Sequence, residues 1–349
     1  MYLNMDVTKE TQHYYGDVLK KSSDLKTNAC CTLESIPNHV KDKLKNIHEN
    51  VLSTYYGCGL VMPDCLENMN VLDLGCGSGR DVYLLSQFVG CNGAKVVGVD
   101  MTDQQLEIAN KHIDYHMSKF GFSKTNVEFK KANIEDLSQS GITTNMDIVV
   151  SNCVLNLCQN KEKVLKGVYN LLKFGGEFYF SDVYCSQRIP KELKEDSVLW
   201  GECLAGALYW NDFLNLAKKC GFTDPRLVKS SVITVQNKEL EEKLGDIKFY
   251  SATYRLFKLS GRLESDCEDY GQAVIYKGTI PNNKNYWNLD NHHKIITGKV
   301  FPVCGNTWNM LIYSRFKSHF EFMGNFNNHY GIFDGCGKGI PFENNGSCC

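Results

Sequence analysis

Cysteine and glycine are the residues whose settings in this chain invite a chemical reading. Cys58 stands between two glycines in Tyr55-Tyr56-Gly57-Cys58-Gly59, Cys153 follows Ser151-Asn152, and Cys203 ends Trp200-Gly201-Glu202-Cys203. Thiolates from three separate loops are natural ligands for a soft, thiophilic centre. If that centre keeps a lone pair, the thiolate complex is itself a nucleophile. The glycines point to a partner for it. In Val71-Leu72-Asp73-Leu74-Gly75-Cys76-Gly77-Ser78-Gly79 a strand runs into three alternating glycines, which let backbone approach a ligand closely, and the helix that follows offers free N–H groups at its start. A second strand ends in Val99-Asp100, 25 residues past Gly75, where a carboxylate can accept from both hydroxyls of a ribose. An adenosine-type cofactor is expected. The spacing is G-x-G-x-G with Asp73 two residues ahead, not the G-x-G-x-x-G of a pyrophosphate site. An NAD-binding Rossmann domain and a glycine turn without ligand remain as alternatives at this point.

These residues need a scaffold, and the pattern from Asn70 onward supplies one. Strands are expected at 70–74, 95–99, 126–131, 146–151 and 176–183, with helices at 80–89, 103–119 and 160–173. Alternating β and α segments imply right-handed crossovers and a doubly wound, mostly parallel α/β sheet. Apolar runs such as Ile148-Val149-Val150 fit a sheet covered on both faces. Ahead of it, Val40, Leu44, Ile47, Val51 and Tyr55 recur at the spacing of one helix face, so residues 36–55 read as a single amphipathic helix. Beyond it, β-type runs at 227–235, 249–259, 272–276 and 299–303 surround a charged helix at 238–244. The expected division is an N-terminal helical or lid segment (1–67), a cofactor-binding core (68–184), a connection carrying Cys203 (185–225), a smaller C-terminal α+β domain (226–334) and a mobile Cys-containing tail (335–349).

Composition narrows the function classes. The 349 residues carry 38 Lys+Arg against 40 Asp+Glu, a formal charge of −2, which disfavours nucleic acid or a membrane surface as an electrostatic partner. The first 30 residues lack the apolar stretch of a signal peptide, and no run approaches the roughly 18–20 apolar residues of a membrane span. A cytoplasmic chain is expected, where thiols stay mostly reduced. Sixteen cysteines in such a chain call for ligation, catalysis or burial.

The glycine turn with Asp73 resembles the first motif of S-adenosylmethionine-dependent methyltransferases. With the cysteine loops, the resemblance becomes specific to the arsenite S-adenosylmethionine methyltransferases, animal-type members included. It runs through Tyr15-Gly16-Asp17-Val18-Leu19, the Cys58 segment, Asp73–Arg80, Ser151-Asn152-Cys153, Trp200-Gly201-Glu202-Cys203, Gln236-Asn237-Lys238-Glu239-Leu240 and Ser251-Ala252-Thr253-Tyr254-Arg255-Leu256-Phe257-Lys258, closely over about residues 10–260. It implies a Rossmann-like class I methyltransferase core. It also implies a cofactor site at Tyr56, Asp73, Gly75, Gly77, Gly79, Arg80, Asp100, Met101, Asn133, Ile134, Glu135, Ser151 and Asn152. Four acting cysteines follow: Cys153 and Cys203 hold trivalent arsenic throughout, while Cys58 joins them as third ligand or pairs with Cys30 as a disulfide during turnover. Cys31 adjoins Cys30 and the spacing to Cys58 is one residue short of the family's usual, so Cys31 could take that place. Implied partners are arsenite and methylarsenite, free or as glutathione conjugates, and an external thiol reductant, glutathione or thioredoxin; a monomer is expected. Methylation of an ordinary metabolite and sequestration of arsenic without turnover are the competing readings.

The remaining cysteines are expected to be ordinary. Cys65, Cys91, Cys158, Cys185, Cys220 and Cys267 read as small buried hydrophobes and Cys76 as inert, while Cys304, Cys336 and Cys348-Cys349 have no assigned role. No paired C-x-x-C motifs exist for structural zinc. His39, His48, His112, His116 and His292-His293 are expected to be solvated.

Overall fold

Four short strands, β1 (Val71–Leu74), β2 (Val96–Asp100), β3 (Val127–Lys131) and β4 (Met146–Asn152), form where the sequence pattern places them, while β5 (Leu172–Cys185) runs to 14 residues and begins four residues ahead of its expected start at 176. The computed structural model describes residues 11–14, 36–55, 57, 59–142, 145–235 and 237–336. The strands join β6 (Leu208–Tyr209), β7 (Arg226–Ile233) and β8 (Phe249–Phe257) in one eight-stranded sheet ordered β3-β2-β1-β4-β5-β8-β7, with β6 also on β5. Strands β1 to β6 run parallel, and β8 lies antiparallel between β5 and β7. All of β1 is buried, because helices cover both faces of the sheet.

Register decides where the site falls. Leu74 at the end of β1 is opposite Val99 on one side and Ser151 on the other. The carboxyl ends of β1, β2 and β4 therefore lie side by side, bringing Gly75, Asp100 and Asn152 to one edge. Between β1 and β4 the strand order reverses, which is where an open α/β sheet leaves its crevice.

Several expectations change. The helix expected over 36–55 is two pieces, Asn38–Leu44 and Glu49–Leu52, because His48 is extended and caps the second piece by accepting from the Asn50 N–H at 3.1 Å. Its apolar face survives, with Val40, Ile47 and Val51 buried. The helix at 103–119 likewise divides, into Asp103–Lys111 and Ile113–Phe120. The sheet does not end at residue 226: β7 and β8, expected in a C-terminal domain, complete the main sheet through nine residue pairs between β5 and β8. Antiparallel pairing needs no helical crossover, so nothing in their own pattern reveals the partner.

The rest of the C-terminal region builds its own layer. A three-stranded antiparallel sheet of β13 (Val300–Val303), β10 (Gln272–Tyr276) and β14 (Phe320–Met323) packs with the helix Gly305–Ile312 around Trp287, Tyr276 and Phe316. Two small ladders flank it: β11 (Tyr286–Asn288) with β12 (Lys294–Ile296), and β9 (Glu268–Asp269) with β15 (Gly331–Ile332). Glu177 on β5 fastens this layer to the main sheet through Arg255 at 2.8 Å and Arg315 at 2.5 Å, all three side chains being buried.

Burial corrects two residue readings. His112, His116 and His293 are buried instead of solvated. His116 stacks on Tyr83 at 3.6 Å, accepts from the His48 N–H and donates from Nδ1 to the His112 carbonyl, and His293 leans on Asp290. Cys91 is exposed and Cys65 and Cys267 are half-buried, so half of the six expected buried thiols are fully buried. The tail beyond residue 336 lies outside the described residues.

Candidate active site

The glycine turn is shaped by backbone that only glycine adopts cheaply. Gly75, Gly77 and Gly79 have φ of +68°, +52° and +86°. A Cβ on Gly75 would strike Val154 at 2.5 Å and one on Gly79 would strike Phe129 at 2.7 Å, whereas one on Gly77 would project into nearly open space, 3.8 Å from Gln105. Gly77 is thus the point where bare backbone faces open space. Asp100 closes the turn: its carboxylate accepts from the Gly77 N–H and from the Thr102 N–H, each at 2.9 Å. Burial pushes Asp100 and Asp73 above the usual carboxylate range, and Asp73 is raised further by Asp81 and Asp100 nearby.

The turn forms one wall of a cleft of about 1040 Å³, open solvent at its mouth included. Of the expected cofactor residues, Asp73, Gly75, Gly77, Arg80, Asp100, Met101, Asn133, Ile134, Glu135 and Asn152 line it. Gly79 and Ser151 do not: Gly79 caps the helix Arg80–Val89, and Ser151 is buried with its hydroxyl donating to the Leu74 carbonyl at 3.3 Å. Asn152 ties the N-terminal segment to β4, donating to the Tyr55 hydroxyl at 2.6 Å and the Gly59 carbonyl at 2.9 Å. Arg80 lies over the Tyr55 ring at 3.6 Å. Tyr56, Cys58, Cys30 and Cys31 lie outside the described residues.

Cys153 lines the cleft and Cys203 sits directly behind it. The Cys203 thiol donates to the Cys153 carbonyl at 3.3 Å. Both are buried, and both hold left-handed backbone, with φ of 58° and 62°. Non-glycine residues reach that region at a cost of about 1–3 kcal/mol, which surrounding structure must impose. Here the constraint comes from three sides. The Cys153 N–H donates to the Ser181 carbonyl at 2.9 Å. Asp182, buried and pushed up to about 7 by that burial, accepts from the backbone N–H of Asn156 at 3.1 Å and from its amide at 2.7 Å, fixing the short helix after Cys153. Gly206 then lets the Cys203 loop press on the same turn, since a Cβ there would meet the Asn156 carbonyl at 1.9 Å.

Cys153 is disulfide-bonded, while Cys203 is a free thiol. A ligand thiol at Cys153 therefore requires that bond to open first. Among the described residues no three His, Cys, Asp or Glu form a metal centre.

The sequence reading missed the supports. Asp182, Asn156 and Gly206 carry no motif of their own. Residues 11–14 also reach the site: Thr11 lines the cleft, the Gln12 amide donates to the Met101 carbonyl at 3.3 Å, and the Tyr14 hydroxyl donates to buried Glu202 at 2.8 Å. Lys161, held by the Asn156 and Cys158 carbonyls and lowered by burial, flanks the Trp200 ring at 5.7 Å.

Glycine turn, carboxylate and strand order together define a class I S-adenosylmethionine-dependent methyltransferase. Residues 66–221 match the family described as a methyltransferase domain, and residues 270–337 match the arsenite methyltransferase C-terminal domain. The chain is 55% identical to the arsenite methyltransferase of Aquipseudomonas alcaligenes over 98% of its length and 99% of the relative's. It is 49% identical to that of Homo sapiens over 90% of this chain and 83% of the other. The crystal structure of an arsenic(III) S-adenosylmethionine methyltransferase from Chlamydomonas reinhardtii superposes with a TM-score of 0.83 at 45% identity, covering 86% of this chain and all of that one. The chain belongs to the arsenite methyltransferase family.

Proposed function

We propose that this chain transfers methyl groups from S-adenosylmethionine to trivalent arsenic held by Cys153 and Cys203, with Cys58 as third thiol, giving mono- and dimethylated arsenicals. The observation that carries this reading is the contact between Cys203 and Cys153 at the wall of a cleft floored by Gly77 and Asp100. The cleft fits the cofactor, because Gly77 leaves room for a ligand against backbone and Asp100 holds a carboxylate at the cleft wall. When bound, S-adenosylmethionine supplies an electrophilic methyl group. The chain aligns acceptor and donor and keeps water away, which is most of what methyl transfer requires. Two thiols that shed protons to bind arsenic leave a neutral complex that the apolar surroundings of Cys203 tolerate; those include Leu199, Leu204 and Val183.

The disulfide at Cys153 supports a place for an external thiol reductant such as glutathione or thioredoxin, two thiol groups of which open it and leave as a disulfide. Ten described cysteines are free thiols, which suits a reducing, cytoplasmic setting.

The test is to incubate the protein with labelled S-adenosylmethionine, arsenite and glutathione and to speciate the arsenic. The wild type yields methylated arsenic; C203S yields none while binding the cofactor as tightly. Methylation retained by C203S, arsenic bound but never methylated by the wild type, or indifference to arsenite would each overturn the proposal.

A further inference from the structure

Three cysteines left without a role by the sequence meet in the C-terminal layer, far from the glycine turn in the chain and absent from the cleft wall. Cys267 immediately precedes β9. The β9–β15 ladder continues one step as the Phe333 N–H donates to the Cys267 carbonyl at 2.7 Å, and a turn closed by the Cys336 N–H on the Phe333 carbonyl at 3.1 Å folds Cys336 back toward Cys267. Cys304 ends the β13 side and caps the helix Gly305–Ile312.

Donors crowd Cys304. Its sulfur accepts from the Thr307 N–H at 3.5 Å and the Arg226 guanidinium at 3.9 Å and lies 3.4 Å from the Thr307 hydroxyl, and the Cys267 segment is held beside it as the Asn306 amide donates to the Asp266 carbonyl at 3.5 Å. Arg226 is anchored in turn by Asp224 at 2.7 Å and Asp290 at 3.1 Å. Cys267, the Arg226 cation and Thr307 together hold the Cys304 thiol well below the usual range, while donation to Cys304 raises Cys267. A thiolate beside a cation at a helix start is a reactive sulfur. Access is graded: Cys336 is exposed, Cys267 half-buried and Cys304 only 1% exposed, and all three are free thiols.

We propose that Cys267 and Cys304 form a second arsenical-binding site, selective for a monosubstituted trivalent arsenical such as methylarsenite, outside the methyl-transfer cleft. Ligand count sets the selectivity. Arsenite offers three exchangeable hydroxyls, and the Cys267–Cys304 pair leaves one of them unreplaced. Methylarsenite offers two, which two adjacent thiols saturate. Binding is ligand exchange: one molecule of CH3As(OH)2, the Cys267 thiol and the Cys304 thiolate give the dithioarsinite, one water and one hydroxide. Two As–O bonds break and two As–S bonds form, the Cys267 proton leaves in the water, arsenic stays trivalent and no sulfur is oxidised. The half-buried Cys267 is the sulfur of first contact. Closure by Cys304 then profits from the high effective concentration of a fixed neighbour. The site deepens the methylation reading only in that the first methyl transfer is a source of its ligand; binding itself is independent of turnover.

The test uses the reduced full-length protein and methylarsenite, without S-adenosylmethionine, and counts bound arsenic per chain after desalting. The expected result is that C267S and C304S each bind one equivalent fewer than wild type, that the double variant C267S/C304S also loses one and not two, and that C65S loses none. A C267S protein that binds as much as wild type overturns the proposal, even if C304S should fail to fold. A double variant that loses two equivalents, or a Cys267–Cys304 disulfide that reductant does not open, overturns it as well. Because the cofactor is left out, failure here leaves arsenite methylation standing, and C203S, which removes a thiol of the cleft site, leaves unchanged the one equivalent that C267S loses.

Discussion

Cys203 and Cys185 make a matched pair on which the cost of holding a ligand thiol can be measured. Both are 0% exposed, both belong to the same apolar cluster, and each thiol donates to a carbonyl, at 3.3 Å from Cys203 and 3.5 Å from Cys185. They differ in backbone: Cys203 has φ of 62°, while Cys185 lies in β5. Truncation to glycine removes from either site a buried CH2–SH, worth about 1 kcal/mol by comparison with a methylene, and its thiol contact. It also adds the entropy that glycine loses on folding, about 0.5–1 kcal/mol. Cys185→Gly is therefore expected to cost about 2–3 kcal/mol once the cavity is included. Cys203→Gly recovers the left-handed strain, about 1–2 kcal/mol, and is expected to cost less than Cys185→Gly by that amount. The comparison is read from urea unfolding midpoints of the reduced proteins, with arsenite methylation assayed in parallel. Cys203→Gly should fall within about 2 kcal/mol of wild type and be inactive. Cys203→Ser, which keeps the strain and buries a hydroxyl, should be the less stable of the two. If Cys203→Gly is destabilised as much as Cys185→Gly, the left-handed backbone stores no strain and the reasoning fails.

Asp100→Asn turns an amide N–H toward one of two backbone N–H donors, Gly77 or Thr102, so calorimetry should show S-adenosylmethionine binding weakened about tenfold or more, about 1.4 kcal/mol; unchanged affinity would remove Asp100 from the site. Glu177→Gln leaves Arg255 and Arg315 buried opposite a neutral side chain and is expected to lower stability by about 3–5 kcal/mol in urea, an effect below about 1 kcal/mol refuting the clasp between the two sheets. Burial lowers His116 from 6.5 to about 4, so between these values the unfolded chain binds a proton that the native one does not. Native stability then falls as pH drops from 6.5 toward 4, by at most about 1.4 kcal/mol per unit from this group, and is flat with respect to it above and below; His116→Phe should flatten that slope, and an unchanged slope would contradict the assignment.

Most of the parallel half of the fold was legible because its signals are local. Strands β1 to β4 and the helix Arg80–Val89 follow from apolar runs and from glycines that punctuate them. What was not legible is non-local. Strands β7 and β8 look like any antiparallel pair, and only their register with β5, Glu177 opposite Phe257 through Cys185 opposite Phe249, shows that they belong to the main sheet. The same holds for the histidines: the pattern 3 and 4 residues apart put His112 and His116 on a helix, but burial depends on Tyr83 and His48 arriving from elsewhere.

The candidate site divides along the same line. Residues that bare backbone to the cleft, such as Gly77, announce themselves because few residue types allow the geometry. Cysteines do not, since a thiol is equally at home as a small hydrophobe, and burial alone fails to separate Cys203 from Cys185. What separates them is the left-handed backbone at Cys203, shared with Cys153, and the contacts that enforce it: Asp182 gripping Asn156, and Gly206 admitting the second loop. A buried carboxylate and a glycine outside any motif carry no signal until the chain is folded. Strained backbone at two cysteines, one donating its thiol to the carbonyl of the other, is costly wherever packing alone is at stake, so its presence at both residues argues that their directions, and not their volumes, are what the fold maintains.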